Sequence, residues 1–177
     1  MEEVDGMKKT TWWMVALIAG CTLFRLVPHA PNFTPILAVA LFSGQFLKSR
    51  EWAFLVPLLA MAATDLFLGF HATAWAVYLS LAIGVFWGRA VGRKSPQKDA
   101  PGIAALLGSP ILFFVVTNFA VWVQTGMYPK TGSGLIECYV VALPFFQNTL
   151  LSTGVFGLAL YGARVVVKTW RPQYVEG

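Results

Sequence analysis

The chain has 177 residues, of which 57% are hydrophobic and 12% are charged, and its mean hydropathy is +0.66. Soluble domains carry about 25% charged residues, so a soluble protein of this composition would have too little polar surface to cover itself. The net charge of +5 is spread over small groups, which argues against a nucleic-acid partner. The composition predicts one all-α membrane domain in a lipid bilayer.

Six apolar segments follow one another, and all but the second approach the length of a bilayer span. They cover residues 11–27, 36–47, 52–70, 74–91, 103–124 and 147–167. Residues 135–146 predict an additional short re-entrant or surface helix that continues past Pro144 into the sixth segment. The sequence therefore predicts an integral membrane six-helix bundle over residues 11–168, with tails at 1–10 and 169–177.

Basic residues alternate between the two ends of these segments. One end carries most of the Lys and Arg, and the positive-inside rule places that end in the cytoplasm. We therefore expect a membrane protein with both termini in the cytoplasm. The basic groups at this end are Lys8, Lys9, Lys48, Arg50, the Arg89–Lys98 loop and the tail from Arg164 to Arg171.

The opposite end is rich in aromatic, amide and imidazole groups. Its three connections read "RLVPHAPNFTP" (25–35), "GFHATAW" (69–75) and "TGMYPKTGSGLIECY" (125–139). Three prolines stiffen the first connection, and a stiff loop lowers the ordering cost of ligand binding. We expect residues 25–35 to line the mouth of a ligand site.

Asp65 interrupts the apolar run 52–70. A carboxylate at mid-helix in a bilayer costs about 2.5–3.5 kcal/mol on insertion scales, so it is a functional hypothesis that calls for a partner. Arg25 lies at a similar depth near the outer end of the first segment, which predicts an Arg25–Asp65 pair. Two interpretations stay open: the pair locks two helices together, or it binds a ligand.

The other candidates lie near the same outer end. Asn118 either bonds across helices or binds a ligand, and Asn148 either caps the sixth segment or points at a ligand. His29 and His71 are weak evidence for a metal, since two imidazoles without further ligands rarely make a site. We expect no metal, cofactor or catalytic residue. The predicted substrate-binding residues are Arg25, His29, Asn32, Asp65, His71, Tyr78, Asn118, Trp122, Tyr128 and Asn148.

Three further expectations follow from single residues and their spacing. The pairs Ala16/Gly20 and Ala40/Gly44 predict close helix approach, within the chain or against another membrane subunit. Cys138 would be reactive only if its pKa were lowered. Alanine in place of His29 or Asn32, both in the first outer connection, is expected to weaken ligand binding while leaving thermal stability nearly unchanged.

Three stretches resemble a family of small bacterial membrane proteins described as transport proteins. They are "FRLVPHAPNFTPILAVALFSG", "FLVPLLAMAATDLFLGFH" and "TNFAVW…GMYPKTGSGLIECYVVALPFFQNTLL", and the resemblance extends from Arg25 to Gly162. That family in turn resembles the substrate-binding (S) components of energy-coupling-factor transporters, particularly the BtuM-like cobalamin carriers. The resemblance implies six membrane helices and uptake of a small molecule, a vitamin such as cobalamin or a related compound.

The resemblance also implies partners and site residues. Many S components pair with a membrane T-type subunit and ATPases, and some work alone. His29 and Asp65 match polar positions of the cobalamin carriers, whose fourth helix supplies a cobalt-ligating Cys. Here that helix reads "AWAVYLSLAIG", with Tyr78 and Ser80 and no Cys. The alternatives are an integral-membrane enzyme or modifying factor acting at an outward-facing Asp/His site, and a structural subunit; no hydrolase or nucleotide-binding motif favours an enzyme.

Overall fold

The computed structural model of the chain describes residues 2–94 and 103–170, with side chains described for 13–93 and 104–170. The described residues form helices and short connections without a strand, which confirms the all-α prediction. A 3-10 turn at Phe24–Leu26 follows the first helix. The helices are α1 (Glu2–Leu23), α2 (Ile36–Phe46), α3 (Arg50–Leu68), α4 (Ala74–Lys94), α5 (Ile103–Gln124), α6 (Gly132–Val141) and α7 (Leu143–Trp170).

Four of the described helices, α3, α4, α5 and α7, are long and apolar enough to cross a membrane. The apolar part of α1, together with α2 and α6, forms shorter apolar helices. The prediction of a helical membrane protein is thereby confirmed. α1 begins at Glu2, nine residues before the predicted first segment. Residues 171–177 of the predicted tail 169–177 lie outside the described residues, and the side chains of Lys8, Lys9, Lys94 and Lys98 are not described.

The predicted count of six helices is wrong, because the described residues form seven. The extra element arises where α6 ends at Val141 and α7 begins separately at Leu143. Pro144 has no N–H for the carbonyl of Val140, so a single continuous helix is disfavoured at this point. In the first turn of α7 the same proline is tolerated, because a backbone N–H at this position would have no acceptor within the helix.

The helix α2 is the centre of the bundle. Every residue from Ile36 to Gly44 is buried, and α2 packs against α1, α3, α4, α5 and α7. A helix that is apolar all round belongs inside a protein rather than at its surface. Its 11 residues span only about 16 Å at 1.5 Å per residue. The short second segment is therefore a central helix enclosed by its neighbours.

The helices α2 and α4 lie in backbone contact. A Cβ added at Gly44 would lie 2.1 Å from the carbonyl oxygen of Val85, and one added at Gly88 would lie 2.2 Å from that of Leu41. Neither position can carry a side chain unless the helices separate. The Ala40/Gly44 expectation is thus confirmed at Gly44, whereas Gly20 has open space at its Cβ position. The matching glycines on α4 recur every four residues, at Gly84, Gly88 and Gly92.

A proline inside α3 is compensated from α2. Pro57 has no N–H, so the carbonyl of Ala53 lacks its usual helical donor. The buried hydroxyl of Ser43 donates to that carbonyl at 2.9 Å. The same hydroxyl lies 3.0 Å from the carbonyl of Ala40, which has the N–H of Gly44 within its own helix. The Ser43 hydroxyl therefore supplies a hydrogen bond that the Ala53 carbonyl lacks within its own helix.

Candidate functional site

The predicted pair of Arg25 and Asp65 is present. The guanidinium Nη2 donates to the carboxylate Oδ1 at 2.9 Å, joining the 3-10 turn to the last turns of α3. Asp65 is 1% exposed and the Arg25 side chain 11%, so water screens the pair little. A cation at the C-terminal end of a helix also complements the helix dipole. The pairing is confirmed, and a ligand-binding role for it stays a prediction.

Tyr78 of α4 completes the coordination of the carboxylate. Its hydroxyl donates to the second oxygen of Asp65, Oδ2, at 2.8 Å. Arg25 Nη1 in turn donates to the hydroxyl of Thr64 and lies 3.4 Å from the carbonyl oxygen of Met61. We call Arg25, Thr64, Asp65 and Tyr78 the polar network. It ties the turn after α1, helix α3 and helix α4 to one another.

Within the polar network, the Asp65 carboxylate is both hydrogen-bonded and charge-balanced. Both oxygens of Asp65 accept hydrogen bonds, and the charge of its carboxylate is balanced by Arg25. A buried charge needs a partner and hydrogen bonds to offset its lost hydration, and removing one partner strands the other. Each Asp65 oxygen accepts one of these hydrogen bonds and keeps a second lone pair.

The linker from Val27 to Pro35 is tied to α7. The amide Nδ2 of Asn148 donates to the carbonyl of Pro31 at 2.9 Å, and the Ser152 hydroxyl lies 3.5 Å from the carbonyl of Asn32. Asn148 is the sixth residue of α7, so it does not cap that helix. Its observed role is to hold the backbone of the linker.

Aromatic rings close the junction of the linker with α7. Phe156 of α7 lies 4.9 Å from Phe24 and 5.9 Å from Phe33, measured between ring centroids. His29 is 5.6 Å from Phe24, and its Nδ1 lies 2.5 Å from the carbonyl of Val27. Because a carbonyl only accepts, Nδ1 carries a proton in this contact.

Asn32 adopts a backbone conformation that few residues tolerate. Its φ is 62°, in the left-handed region that favours Gly and Asn. Alanine at such a position is strained regardless of side-chain contacts. The expectation that Asn32→Ala leaves stability unchanged therefore needs correction. Asn32→Gly removes the same side chain without the strain.

The two candidates on α5 differ in what they contact, since Asn118 bonds within its own helix and Trp122 bonds to the α5–α6 connection. The side chain of Asn118 donates to the Phe114 carbonyl of its own helix at 2.8 Å, rather than across to another helix. The indole of Trp122 donates to the carbonyl of Pro129 at 2.9 Å, and the ammonium of Lys130 lies 5.7 Å from its ring. These contacts fold the connection back onto the end of α5.

His71 and Tyr128 stand apart from the polar network. His71 is exposed between α3 and α4, where its backbone carbonyl accepts from the N–H of Ala74. Tyr128 is half-buried in the α5–α6 connection. Neither side chain has a hydrogen-bond partner in the described part of the chain. The described residues also contain no group of three His, Cys, Asp or Glu placed to hold a metal ion.

Cys138 is buried in α6. Its thiol lies 3.5 Å from the carbonyl of Asn118, and burial raises the pKa of the Cys138 thiol above its ordinary value. A raised pKa keeps the group as the unreactive thiol at neutral pH. The condition that would make Cys138 reactive is therefore not met.

Sequence reasoning missed two contributors. Thr64 accepts from Arg25, and Ser152 contacts the linker one turn after Asn148. Both hydroxyls have a local signal in the sequence, since Thr64 precedes Asp65 and Ser152 lies four residues after Asn148 on one helix face.

The helices and the buried ion pair place the chain in the class of helical integral membrane proteins. A family model described as "Family of unknown function (DUF6580)" matches residues 6–174. The chain therefore belongs to this family. No curated protein and no solved structure matches it.

Proposed function

We propose that the protein binds a small molecule and mediates its uptake, in the manner of an S component. The polar network and the linker 27–35 would form the ligand site. The observation that carries the proposal is the buried Arg25–Asp65 pair, placed next to a non-helical linker at one end of an apolar bundle. Ionisable groups at membrane depth are expensive and mark substrate pathways by default.

The linker supports the same proposal. Non-helical backbone at membrane depth is tolerated where it is buried in protein or lines a wet cavity. Two of the linker carbonyls, those of Pro31 and Asn32, already face donors from α7. His29 and the Asn32 side chain are thereby held on a fixed backbone, which lowers the ordering cost of ligand binding.

The proposal extends to orientation and partners. We place the protein in a bacterial inner membrane with both termini in the cytoplasm, which requires an even number of crossings. Six crossings result if α1 and α2 cross as shorter helices and α6 lies at the surface. Energy for uptake would come from a T-type subunit with ATPases or from an ion gradient. Cysteine labelling of intact cells checks this: residue 132 should react from outside, and residue 96 only after lysis.

Ligand binding is tested on the purified chain with a panel of vitamins, cobalamin and cobinamide included, by thermal shift and native mass spectrometry. His29→Ala and Asn32→Gly should weaken binding of the hit while the apo-protein melts as the wild type does. Gln147→Ala, an exposed amide on α7, is the matched control. If the His29 and Asn32→Gly variants destabilise the apo-protein as much as Asp65→Ala does, the linker is structural and the mouth hypothesis fails.

The alternative of an Asp/His enzyme is less well supported by the geometry. Asp65 already has both oxygens bonded, and His71 is exposed on a separate connection. Turnover of a substrate by the lone purified chain would favour the enzyme. Co-purification with a T-type subunit and two ATPases would favour the transporter.

A further inference from the structure

A small cavity lies where α2 and α4 both end, at the opposite end of α4 from Tyr78. Its volume is about 180 Å³, and three cations, Lys48, Arg89 and Arg93, contribute to its lining. Lys48 and Arg93 are exposed and Arg89 is half-buried. No carboxylate is among the described residues that line it. We call this the basic cavity.

Arg89 is held at the floor of the basic cavity. Its Nη1 donates to the carbonyl of Leu47 at 3.2 Å, and its Nη2 lies 3.5 Å from the carbonyl of Lys48. These carbonyls belong to the C-terminal end of α2, which would otherwise repel an anion. Arg89 therefore covers them, and its fixed fork of N–H donors keeps positive charge in the cavity.

In the described part of the chain, a carboxylate close to the basic cavity is that of Glu51. Glu51, at the start of α3, accepts from the Ser49 hydroxyl at 2.6 Å and interacts electrostatically with Arg50 and Arg89. Set against Glu51 are Arg50, Arg89 and Arg93, so these four described residues carry a formal charge of +2. The basic cavity thus favours an anion.

An apolar stripe leads from the basic cavity along α4. Leu79, Phe86 and Arg93 are spaced by seven residues and so share one face of the helix. Leu79 is 45% exposed and Phe86 is 53% exposed. Phe86 lies about 10 Å from Arg93 along the helix axis at 1.5 Å per residue. A molecule with its phosphate at Arg93 would find apolar surface where a hydrocarbon tail would follow.

We propose that the basic cavity binds the phosphate of an anionic phospholipid, with an acyl chain along the stripe of Leu79 and Phe86. Basic pockets between membrane helices are a known physical solution for anionic headgroups. Arg and Lys give the phosphate charge-assisted hydrogen bonds. Free phosphate has the same headgroup chemistry but makes no use of the apolar stripe, so the lipid accounts for both features. This inference is independent of the proposed function.

The test uses the full chain in a neutral detergent. Native mass spectrometry and melting curves compare phosphatidylglycerol, phosphatidylcholine with the same acyl chains, and inorganic phosphate. Phosphatidylglycerol should bind and raise the melting temperature, phosphatidylcholine should do so much less, and millimolar inorganic phosphate should not substitute for the lipid. Equal effects of the two lipids would overturn the proposal. So would saturation by inorganic phosphate alone, which would assign the cavity to a free anion.

Variants locate the effect. Lys48→Gln with Arg93→Gln should reduce the preference for phosphatidylglycerol about tenfold or more, as expected from removing two charges near an anionic headgroup. Lys130→Gln removes one charge in the α5–α6 connection, as Arg93→Gln alone does at the cavity, and should leave the preference unchanged. If the double variant folds poorly, Arg93→Gln alone, at an exposed position, replaces it in the same measurement. An unchanged preference in both variants would show that the lipid does not bind in this cavity. Displacement of the lipid by an acidic partner protein that protects Arg93 would likewise overturn the proposal.

Discussion

The α2–α4 contact and the polar network are both buried, yet they join helices by opposite means. Between α2 and α4, Gly44 and Gly88 bring backbone against backbone with no side chain between them. In the polar network, long side chains bridge three elements through charge and hydrogen bonds. Lipid gives no hydrophobic drive for helices to associate, so close approach and polar bonding must replace it. An added atom should therefore disrupt the first contact, and loss of a partner should weaken the second.

The largest expected effect is at the ion pair. Asp65→Ala and Arg25→Ala should each lower the free energy of unfolding by about 3–5 kcal/mol, because the remaining charge is left buried without its partner. The double variant should recover part of the loss. Thermal inactivation in detergent, followed by size-exclusion chromatography, measures this, with the exposed Glu137→Ala as control. Losses that simply add in the double variant would mean that the two residues act separately.

Gly88 tests the backbone contact. Gly88→Ala should cost about 3 kcal/mol, the upper end for overpacking, because the Cβ would meet a backbone carbonyl that cannot rotate away. Gly162→Ala is the matched control: its Cβ position is open, and alanine is the better helix former. The same unfolding assay should separate the two variants. Similar stability of both would show that α2 and α4 can move apart at little cost.

Tyr78→Phe removes one hydroxyl from the polar network while the ion pair remains. Hydrogen bonds to charged groups contribute about 1.5–3 kcal/mol, so a loss of about 2 kcal/mol is expected. Tyr128→Phe, at a half-buried hydroxyl without a hydrogen-bond partner in the described part of the chain, should be nearly neutral. A neutral Tyr78→Phe would indicate that Arg25 alone satisfies the carboxylate.

Asn148 tests how firmly the linker is held. Asn148→Ala leaves the Pro31 carbonyl without that donor, and one such hydrogen bond contributes about 1 kcal/mol. We expect a small loss of stability together with faster proteolysis or hydrogen exchange in residues 27–35. Gln147→Ala, one position earlier and exposed, should change neither measurement. Unchanged linker exchange in Asn148→Ala would show that the aromatic contacts suffice.

The ion pair could be predicted because charge stands out within apolar runs. Asp65 had few possible partners at its depth, and Arg25 was the suitable cation. The partner of Asn148 could not be predicted in this way, since it is a backbone carbonyl 117 residues away that carries no residue-type signal. Tertiary contacts to the backbone leave no trace in sequence pattern.

Two features of the fold had a signal that was not used. Glycines at 84, 88 and 92 repeat on α4 at the spacing that predicted close approach for Gly44. Pro144, read as lying within one helix, marks the start of α7. The enclosed position of α2 is different, because an apolar run without periodicity does not tell a short span from a central helix.

The hydroxyl of Ser43 and the proline at 57 make the order of mutations matter. While Pro57 is present, loss of Ser43 leaves the Ala53 carbonyl without a donor inside the bundle, where no water can replace it. If Pro57 is first replaced by alanine, α3 regains its own N–H and Ser43 becomes free to change. If Ser43 changes first, the intermediate protein is destabilised, whereas if Pro57 changes first it is not. A descendant chain should therefore lose its proline before it loses its serine.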